Sequence, residues 1–471
     1  MHGRVVVIGS GMAGLSTALA LGRAGHDVLV LERDPMPTTG DAEEAFAADR
    51  RGAPQVHQTH GFLARLVVEL REHFPDVLDA LRAVGCAMAP ARSNLGEPQP
   101  GDEDLKVLFV RRTTLEWLLR EAALAQDGVE IRPSTGVAGL VVRRDDDVPA
   151  ITGVRLDDGT TLDAALVVDA AGRRSPVPGW LRELGVELPE LLHESGLMYL
   201  SRWYRVPPTL DVPLDERLGG DLGYLKFLAV PGDARTLSIT IAVRTNDHEV
   251  RTAVSDPDGF ERAVRMLDGP RRFFAGDPLA PLGGVRPMAG LLNRTRRFLD
   301  DDGAPRVLGL HAVGDSHTCT NPLYGRGCTL ALVQALRLAD AVAAHGDDAR
   351  ARAVAYETAC REQVEPWYHH SVELDRAGSD PGTDDAAGAR EERPPNPMAH
   401  VFVAAETDPV IGRGLTKLMN LLVTPAELAA DPVFTARVAE ILADPSAYPL
   451  PPRPGPSRRE LLDALAVGVA G

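Results

Sequence analysis

Three clusters of residues in this chain have the types and spacing to act on a bound anion. Gly9-Ser10-Gly11-Met12-Ala13-Gly14 is a G-x-G-x-x-G element. In such an element the first glycine permits a tight turn, the second lets backbone approach a pyrophosphate, and the third lets a helix pack close to a strand. Met12 and Ala13 fall in the first turn of that helix, where unpaired N–H groups and a partial positive charge attract phosphate. Glu32 ends the next apolar run, placed to accept a hydrogen bond from a ribose 2′-OH, and Arg33 follows it. Far along the chain, Gly314-Asp315 precedes Asn321-Pro322-Leu323-Tyr324-Gly325-Arg326-Gly327. An acid leaving a strand can hold a ligand hydroxyl, and Pro322, Gly325 and Gly327 open a second helix N-terminus towards negative charge. Between the two lies Val167-Val168-Asp169-Ala170-Ala171-Gly172-Arg173-Arg174-Ser175, an apolar run closing on a small-residue turn.

These groups need a scaffold, and the hydrophobic pattern supplies one. Val5–Ile8 has the β-branched composition of a buried parallel strand, an Ala/Leu-rich helix runs to about Arg23, Gly25-His26-Asp27 turns, and Val28–Leu31 forms a second strand. Leu162–Val168 and Val307–Val313 are expected as further strands, and Leu332, Leu336, Ala339 and Ala343 recur at helical spacing after Gly327. The fingerprint alone does not separate FAD from NAD, and a glycine-rich βαβ unit without nucleotide has the same local pattern. Glu32 favours FAD over NADP, because an acid there repels a 2′-phosphate.

Composition narrows the class. The 471 residues carry a formal net charge of −17, with 44% hydrophobic and 25% charged residues, an ordinary globular balance. No basic footprint for nucleic acid or an anionic membrane is expected. Four cysteines (Cys86, Cys319, Cys328, Cys360) form no zinc or redox pair, so no metal site is expected and a reducing, cytoplasmic setting is. The apolar run after Arg4 has the look of a secretory h-region, but its spaced glycines argue for the nucleotide fold instead.

On these motifs the chain resembles the FAD-dependent monooxygenase superfamily with the para-hydroxybenzoate-hydroxylase-like fold, which includes halogenase and geranylgeranyl reductase relatives. Gly314, Asp315, Pro322, Gly325 and Gly327 satisfy its G-D-x-x-x-x-x-x-P-x-x-G-x-G motif, and Arg112-Thr113-Thr114-Leu115-Glu116 its R-x-x-L-[DE]. Arg51-Gly52-Ala53-Pro54-Gln55-Val56-His57-Gln58-Thr59-His60 and Asn321-Pro322-Leu323-Tyr324-Gly325 look like the flavin epoxidase subgroup of polyether-antibiotic biosynthesis. The resemblance covers residues 3–375. It implies an α/β fold: a glutathione-reductase-type Rossmann FAD domain with an interleaved β-sheet substrate domain, followed by a C-terminal helical region. It also implies that Arg51, Gln55, Arg112 and Asp315 join Gly9, Gly11, Met12, Ala13, Gly14, Glu32, Arg33, Pro322, Gly325 and Gly327 around FAD. Three positions depart from the pattern. Ala171 stands where hydroxylases have the acid of Asp-Gly, Gln58 replaces the first loop histidine, and Thr329 replaces an asparagine.

The implied reaction is epoxidation or hydroxylation of a mostly apolar natural product through a flavin C4a-peroxide. O2 is the co-substrate, and electrons come from NADPH, NADH or a partner flavin reductase. Hydride transfer of the geranylgeranyl-reductase type is the alternative, and a non-catalytic flavin-binding protein a further one. Halogenation is disfavoured: no lysine occurs between Asp34 and Leu105, and Lys226-Phe227-Leu228-Ala229-Val230-Pro231 lacks the tryptophans of W-x-W-x-I-P. No catalytic residue is fixed by pattern; His60 and Tyr324 are the candidates, Tyr324 being equally suited to packing its turn. His317 is expected as a hydrogen-bonded structural histidine or a flavin neighbour, and His369-His370 as surface. Residues 1–185 and 298–375 are expected to build the FAD domain (with 80–105 on the substrate side), and 186–297 a substrate sheet with strands Met198–Val206, Leu222–Val230 and Thr236–Arg244. Residues 376–398 read as a linker, overlapping a loop-like stretch from Asp375 to Pro397, and 399–471 as helices at His400–Leu422, Pro425–Leu442 and Arg458–Val467. That tail would cap the cavity or mediate dimerisation; a monomer or homodimer acting on a small molecule is expected.

Overall fold

The computed structural model describes residues 2–36, 40–48, 50–144, 147–214, 218–378 and 397–466. A parallel sheet forms its first layer, in the spatial order Leu310–Ala312, Leu166–Asp169, Val5–Ile8, Val28–Leu31, Val129–Arg132. Val5–Ile8 pairs in register with Val28–Leu31 on one side and Leu166–Asp169 on the other, and every residue of the three strands is buried. Burial on both faces is why these strands read as unbroken apolar runs. Helix Met12–Arg23 crosses one face, packed with helix Gly327–His345. The latter is, among the described residues, long and apolar enough to cross a membrane, and its Leu330, Leu332, Val333, Leu336 and Leu338 are buried inside this fold.

Two expected strands are shorter than their apolar runs. Leu162–Val168 is divided: Thr161–Asp163 edges an antiparallel sheet, and only Leu166–Asp169 enters the parallel one. The backbone changes partner between them, Ala164 N–H donating to Thr152 and Ala165 N–H to Arg4. Of Val307–Val313 only Leu310–Ala312 is a strand, because Gly309 (φ +69°) turns the chain and Leu308 bridges to Ala150.

The second layer is an antiparallel sheet ordered 219–221, Leu225–Gly232, Thr236–Arg244, Leu197–Arg205, with short segments at 280–281 and 286–288 on its far edge. The three long strands are those expected, shifted by up to three residues. Leu237, Ile239, Ile241 and Val243 point into a core with Phe260, Ala263, Leu461 and Leu465. The last helix, Arg458–Ala466, therefore docks on the outer face of this sheet. The two helices expected at 400–422 and 425–442 are four, Met398–Ala404, Pro409–Met419, Pro425–Ala430 and Pro432–Ala443. Pro409 and Pro432 cannot donate within a helix, so each starts a new one, capped by the Asp408 or Asp431 carboxylate.

The layers are joined by a buried ion pair. Asp233, in the hairpin between the sheet's central strands, accepts from Arg111 N–H (2.7 Å), Arg111 Nε and Nη2 (3.1 and 2.9 Å) and Thr114 Oγ1 (2.8 Å). Burial alone would raise its carboxyl, but Arg111 holds it below the usual range. The expected linker start is corrected here: helix Glu365–Gly378 runs through it and Asp375 is 4% exposed. Residues 379–396, the rest of that stretch apart from Pro397 and Met398, lie outside the described residues.

Candidate functional site

One cavity of about 470 Å³ runs from the fingerprint turn to the start of helix Gly327–His345. Gly9 adopts φ +104°, and a Cβ there would stand 2.7 Å from the Ala170 carbonyl oxygen, so turn and neighbouring strand meet only with glycine. A Cβ on Gly11 would meet nothing nearer than Glu116 Oε1 at 3.9 Å, leaving open space before the helix N-terminus. Gly314 (φ +67°) lies against the same helix; its Cβ would stand 2.8 Å from Ala13 Cβ.

Most of the predicted site residues converge on this cavity. Gly9, Gly11, Met12, Ala13, Glu32, Arg33, Arg51, Gln55, His60, Arg112, Asp315, Pro322, Gly325 and Gly327 all line it. Gly14 lies outside the lining, pressed against the Gly9 carbonyl. Glu32 accepts from Ser10 N–H (3.0 Å), Ser10 Oγ (2.6 Å) and Asp34 N–H (2.9 Å), which leaves a carboxylate of about four acceptor sites room for one more donor.

Arg51 and Arg33 are exposed, and the cation of the loop that turns inward is Arg50, its side chain 10% exposed. It lies 3.4 Å from Glu116, 3.6 Å from Glu32 and 3.9 Å from Asp34. Glu116 in turn accepts from Met12 N–H (3.1 Å) and Arg112 Nε (2.8 Å). Burial would raise the Glu116 carboxyl, but Arg112 and Arg50 hold it down. Arg50 and the Glu116 contact were not singled out from sequence, although Glu116 stands at the acidic position of R-x-x-L-[DE].

His60 Nδ1 faces the Gln58 carbonyl at 2.9 Å and Nε2 faces Arg112 Nη1 at 3.3 Å. Burial and the Arg112 charge push its pKa down to about 3, so its ring is neutral at physiological pH and serves as a hydrogen-bonding group, not a proton donor to solvent. Burial pushes the Asp315 carboxyl up while Arg112, Arg173 and Arg294 oppose it, the state of a sheltered acid whose charge a polyol's hydroxyls would stabilise. The thiols of Cys319 and Cys328 also line the cavity and are pushed up by burial, Cys328 to about 11, so neither is a ready nucleophile.

Tyr324 and three histidines resolve differently from one another. Tyr324 does not line this cavity; its hydroxyl donates to Asp375 Oδ1 (2.8 Å), and its ring lies 4.9 Å from the Arg326 guanidinium. His317 bonds Thr318 Oγ1 (2.8 Å) and Glu357 (3.2 Å) and stacks on Phe298, a structural histidine. His369 is exposed, but His370 is half-buried with Nδ1 accepting from Arg326 Nη2 at 2.9 Å, which corrects its placement on the surface. Among the described residues the one group of three candidate metal ligands, Glu69, Glu72 and His73, lies on helix Ala64–His73, outside the cavity lining.

The residues present fit FAD: an open helix N-terminus for pyrophosphate, an acid for ribose, a sheltered acid for a ribityl chain, and a second helix N-terminus at the far end. Comparison with known proteins agrees. Residues 4–92 match the family described as FAD dependent oxidoreductase. The chain is 28% identical to Protein Rv3254 of Mycobacterium tuberculosis over 93% of each chain. It is 25% identical to Menaquinone reductase of Mycolicibacterium smegmatis, over 69% of this chain and 72% of that one. Among solved structures, pqsL, a probable FAD-dependent monooxygenase from Pseudomonas aeruginosa, shares the fold: TM-score 0.59 at 20% identity, covering 80% of this chain and 96% of that one.

Proposed function

The chain carries an FAD-dependent oxidoreductase domain, and from that premise we propose that it is a flavin monooxygenase that epoxidises or hydroxylates a small organic substrate. The observation that carries this reading is one continuous cavity lined by Glu32, Arg112 and Asp315 together with Tyr199 of the antiparallel sheet. When bound, FAD would supply the redox chemistry between an electron donor (NADPH, NADH or a partner reductase) and O2.

The chain's own groups bind, orient and exclude water. Glu32 holds the ribose and the Met12 helix N-terminus the pyrophosphate, with Arg50 and Arg112 offsetting the acids gathered there. Asp315 holds the ribityl chain, and the N-terminus of helix Gly327–His345 favours negative charge at the flavin edge. The loop from His57 to His60 seals the sheet side: Trp203 Nε1 donates to the His57 carbonyl (2.8 Å), and Thr59 bonds Ser238 and Thr240. Water exclusion protects a reactive oxygenating centre and strengthens every charge interaction in the site. A second reading, hydride transfer without oxygen insertion, is favoured by the likeness to Menaquinone reductase.

Purified protein is expected to hold flavin, to consume O2 when reduced, and to insert one atom from labelled O2 into an alkene or arene. A reduced product without label would select the second reading; a folded protein without affinity for flavin would remove both. Asp315→Ala is expected to weaken FAD about 10- to 150-fold, the equivalent of a hydrogen bond to a charged group worth ~1.5–3 kcal/mol. Flavin titration checks this, and unchanged affinity would reject the assignment of Asp315.

A further inference from the structure

A buried polar side chain normally finds a hydrogen-bond partner, and one that does not calls for an explanation. Among the described residues, two side-chain atoms on the lining of the cofactor cavity are buried without such a partner, Arg50 Nε and Thr320 Oγ1. Arg50 still lies beside Glu32, Asp34 and Glu116, which answer its charge. The Thr320 hydroxyl is the unexplained group, on a residue 5% exposed.

The backbone on both sides of Thr320 is fixed. Cys319 before it belongs to a short strand paired with Leu292–Arg296, and its thiol donates to the Leu292 carbonyl. Asn321 after it is held from three directions. Its N–H donates to Asn293 Oδ1 (2.8 Å), its Nδ2 to Asp375 Oδ1 (2.8 Å), and its Oδ1 accepts from Tyr199 Oη (2.7 Å). Asn321 begins the turn that is the partition between the cofactor cavity and a smaller one of about 270 Å³. Pro322 and Gly325 line the cofactor side, Leu323 and Tyr324 the other. Around Thr320 the cofactor side is largely apolar, with Leu292, Cys319, Pro322 and the Tyr199 ring on the same lining. The polar side chains of the neighbouring loop are engaged within the protein. Gln58 Nε2 donates to the Arg286 carbonyl (3.2 Å), Thr59 bonds Ser238 and Thr240, and His60 bonds the Gln58 carbonyl and Arg112.

We infer that Thr320 is a further cofactor-contacting residue, whose hydroxyl donates a hydrogen bond to the edge of the bound flavin ring, at a ring nitrogen or carbonyl oxygen. The inference rests on the flavoenzyme reading above. In that reading Glu32, the Met12 helix N-terminus and Asp315 take the ribose, the pyrophosphate and the ribityl chain, which leaves the ring for the wall around Thr320. A ring with apolar faces and a polar edge suits an apolar wall that carries one unengaged hydroxyl. A threonine hydroxyl has one donor to give, and a hydrogen bond strengthens as its acceptor gains negative charge. Thr320 therefore favours the reduced ring over the oxidised one.

Thr320→Val removes the hydroxyl and keeps the shape, and effects of opposite sign are expected with and without flavin. The flavin-free variant should melt at or above the native Tm, because an unpartnered buried hydroxyl costs stability and a methyl group in its place does not. Its affinity for FAD should fall roughly 2- to 12-fold, the equivalent of one neutral hydrogen bond, with affinity for ADP-ribose, which lacks the ring, unchanged. The midpoint potential of the bound flavin should fall by about 30 mV, a factor of ten in a two-electron couple. Thr320→Ser should restore both affinity and potential. A lowered Tm of the flavin-free Val variant, native FAD affinity and potential in that variant, or equal losses for FAD and ADP-ribose would each overturn the inference. Folded native protein with no affinity for flavin would instead overturn the reading it rests on.

Discussion

Gly14→Leu is expected to leave no folded flavoprotein. A Cβ at position 14 would overlap the Gly9 carbonyl oxygen and press on Ala170 Cβ at 3.4 Å. Neither neighbour can yield: Gly9 is fixed at φ +104° between the first strand and Ala170, and its own carbonyl belongs to the turn that lines the cavity. Relief requires helix Met12–Arg23 to lift from the sheet, which would strip burial from Leu15, Ala18 and Leu19. Overpacking of a side chain against adaptable neighbours costs ~1–3 kcal/mol; against rigid backbone the cost approaches the whole ~5–15 kcal/mol of a domain's stability. Circular dichroism and flavin content of the soluble fraction check this. The milder Gly14→Ala, folded with unchanged Tm and full flavin, would show the helix-to-strand contact to be unimportant.

The second large effect is expected at Asp375. Asp375→Ala removes the acceptor of two buried donors, Asn293 Nδ2 and Asn321 Nδ2, each left unsatisfied at ~1–3 kcal/mol, and of the half-buried Tyr324 Oη. Destabilisation of at least ~2 kcal/mol follows, together with weaker flavin binding, since the Asn321–Gly325 turn loses its anchor. Asp375→Asn keeps the Oδ1 acceptor for Asn321 and Tyr324 but sets an amide against the Asn293 amide, so an intermediate loss is expected. Denaturant unfolding monitored with flavin release separates the two; equal stability of Ala, Asn and native forms would remove Asp375 from the partition.

Asp375 also marks where reading the sequence stops. Its neighbours Gly378, Asp380 and Pro381 have the composition of a loop, and nothing local records that its side chain meets residues 54 and 82 positions earlier. Arg50 and Arg51 are likewise adjacent arginines in an aperiodic loop. Which one turns inward depends on Glu32, Asp34 and Glu116, brought together only by folding. Tyr324 was equally suited to two roles because the turn's geometry, and with it the side of the partition its ring occupies, has no sequence period. The apolar runs at 162–168 and 307–313 showed strand content but not where one sheet hands over to another at Ala164 and Gly309.

The sequence by itself determined the glycine-rich βαβ unit and the Gly314-Asp315 element, and the flavoenzyme class followed from the family resemblance that those motifs carry. The two elements are short-range patterns: spaced glycines, a buried strand's β-branched run, a helix's recurrence, an acid at a strand end. Only the tertiary structure decided that Arg50 and Glu116 crowd the fingerprint helix, that the loop His57–His60 covers the middle of the sheet, and that Asp375 ties down the turn between two cavities. Those facts arise from buried polar groups finding partners on distant segments. The requirement that such groups be satisfied is general, but the choice of partner is made only when the chain is packed.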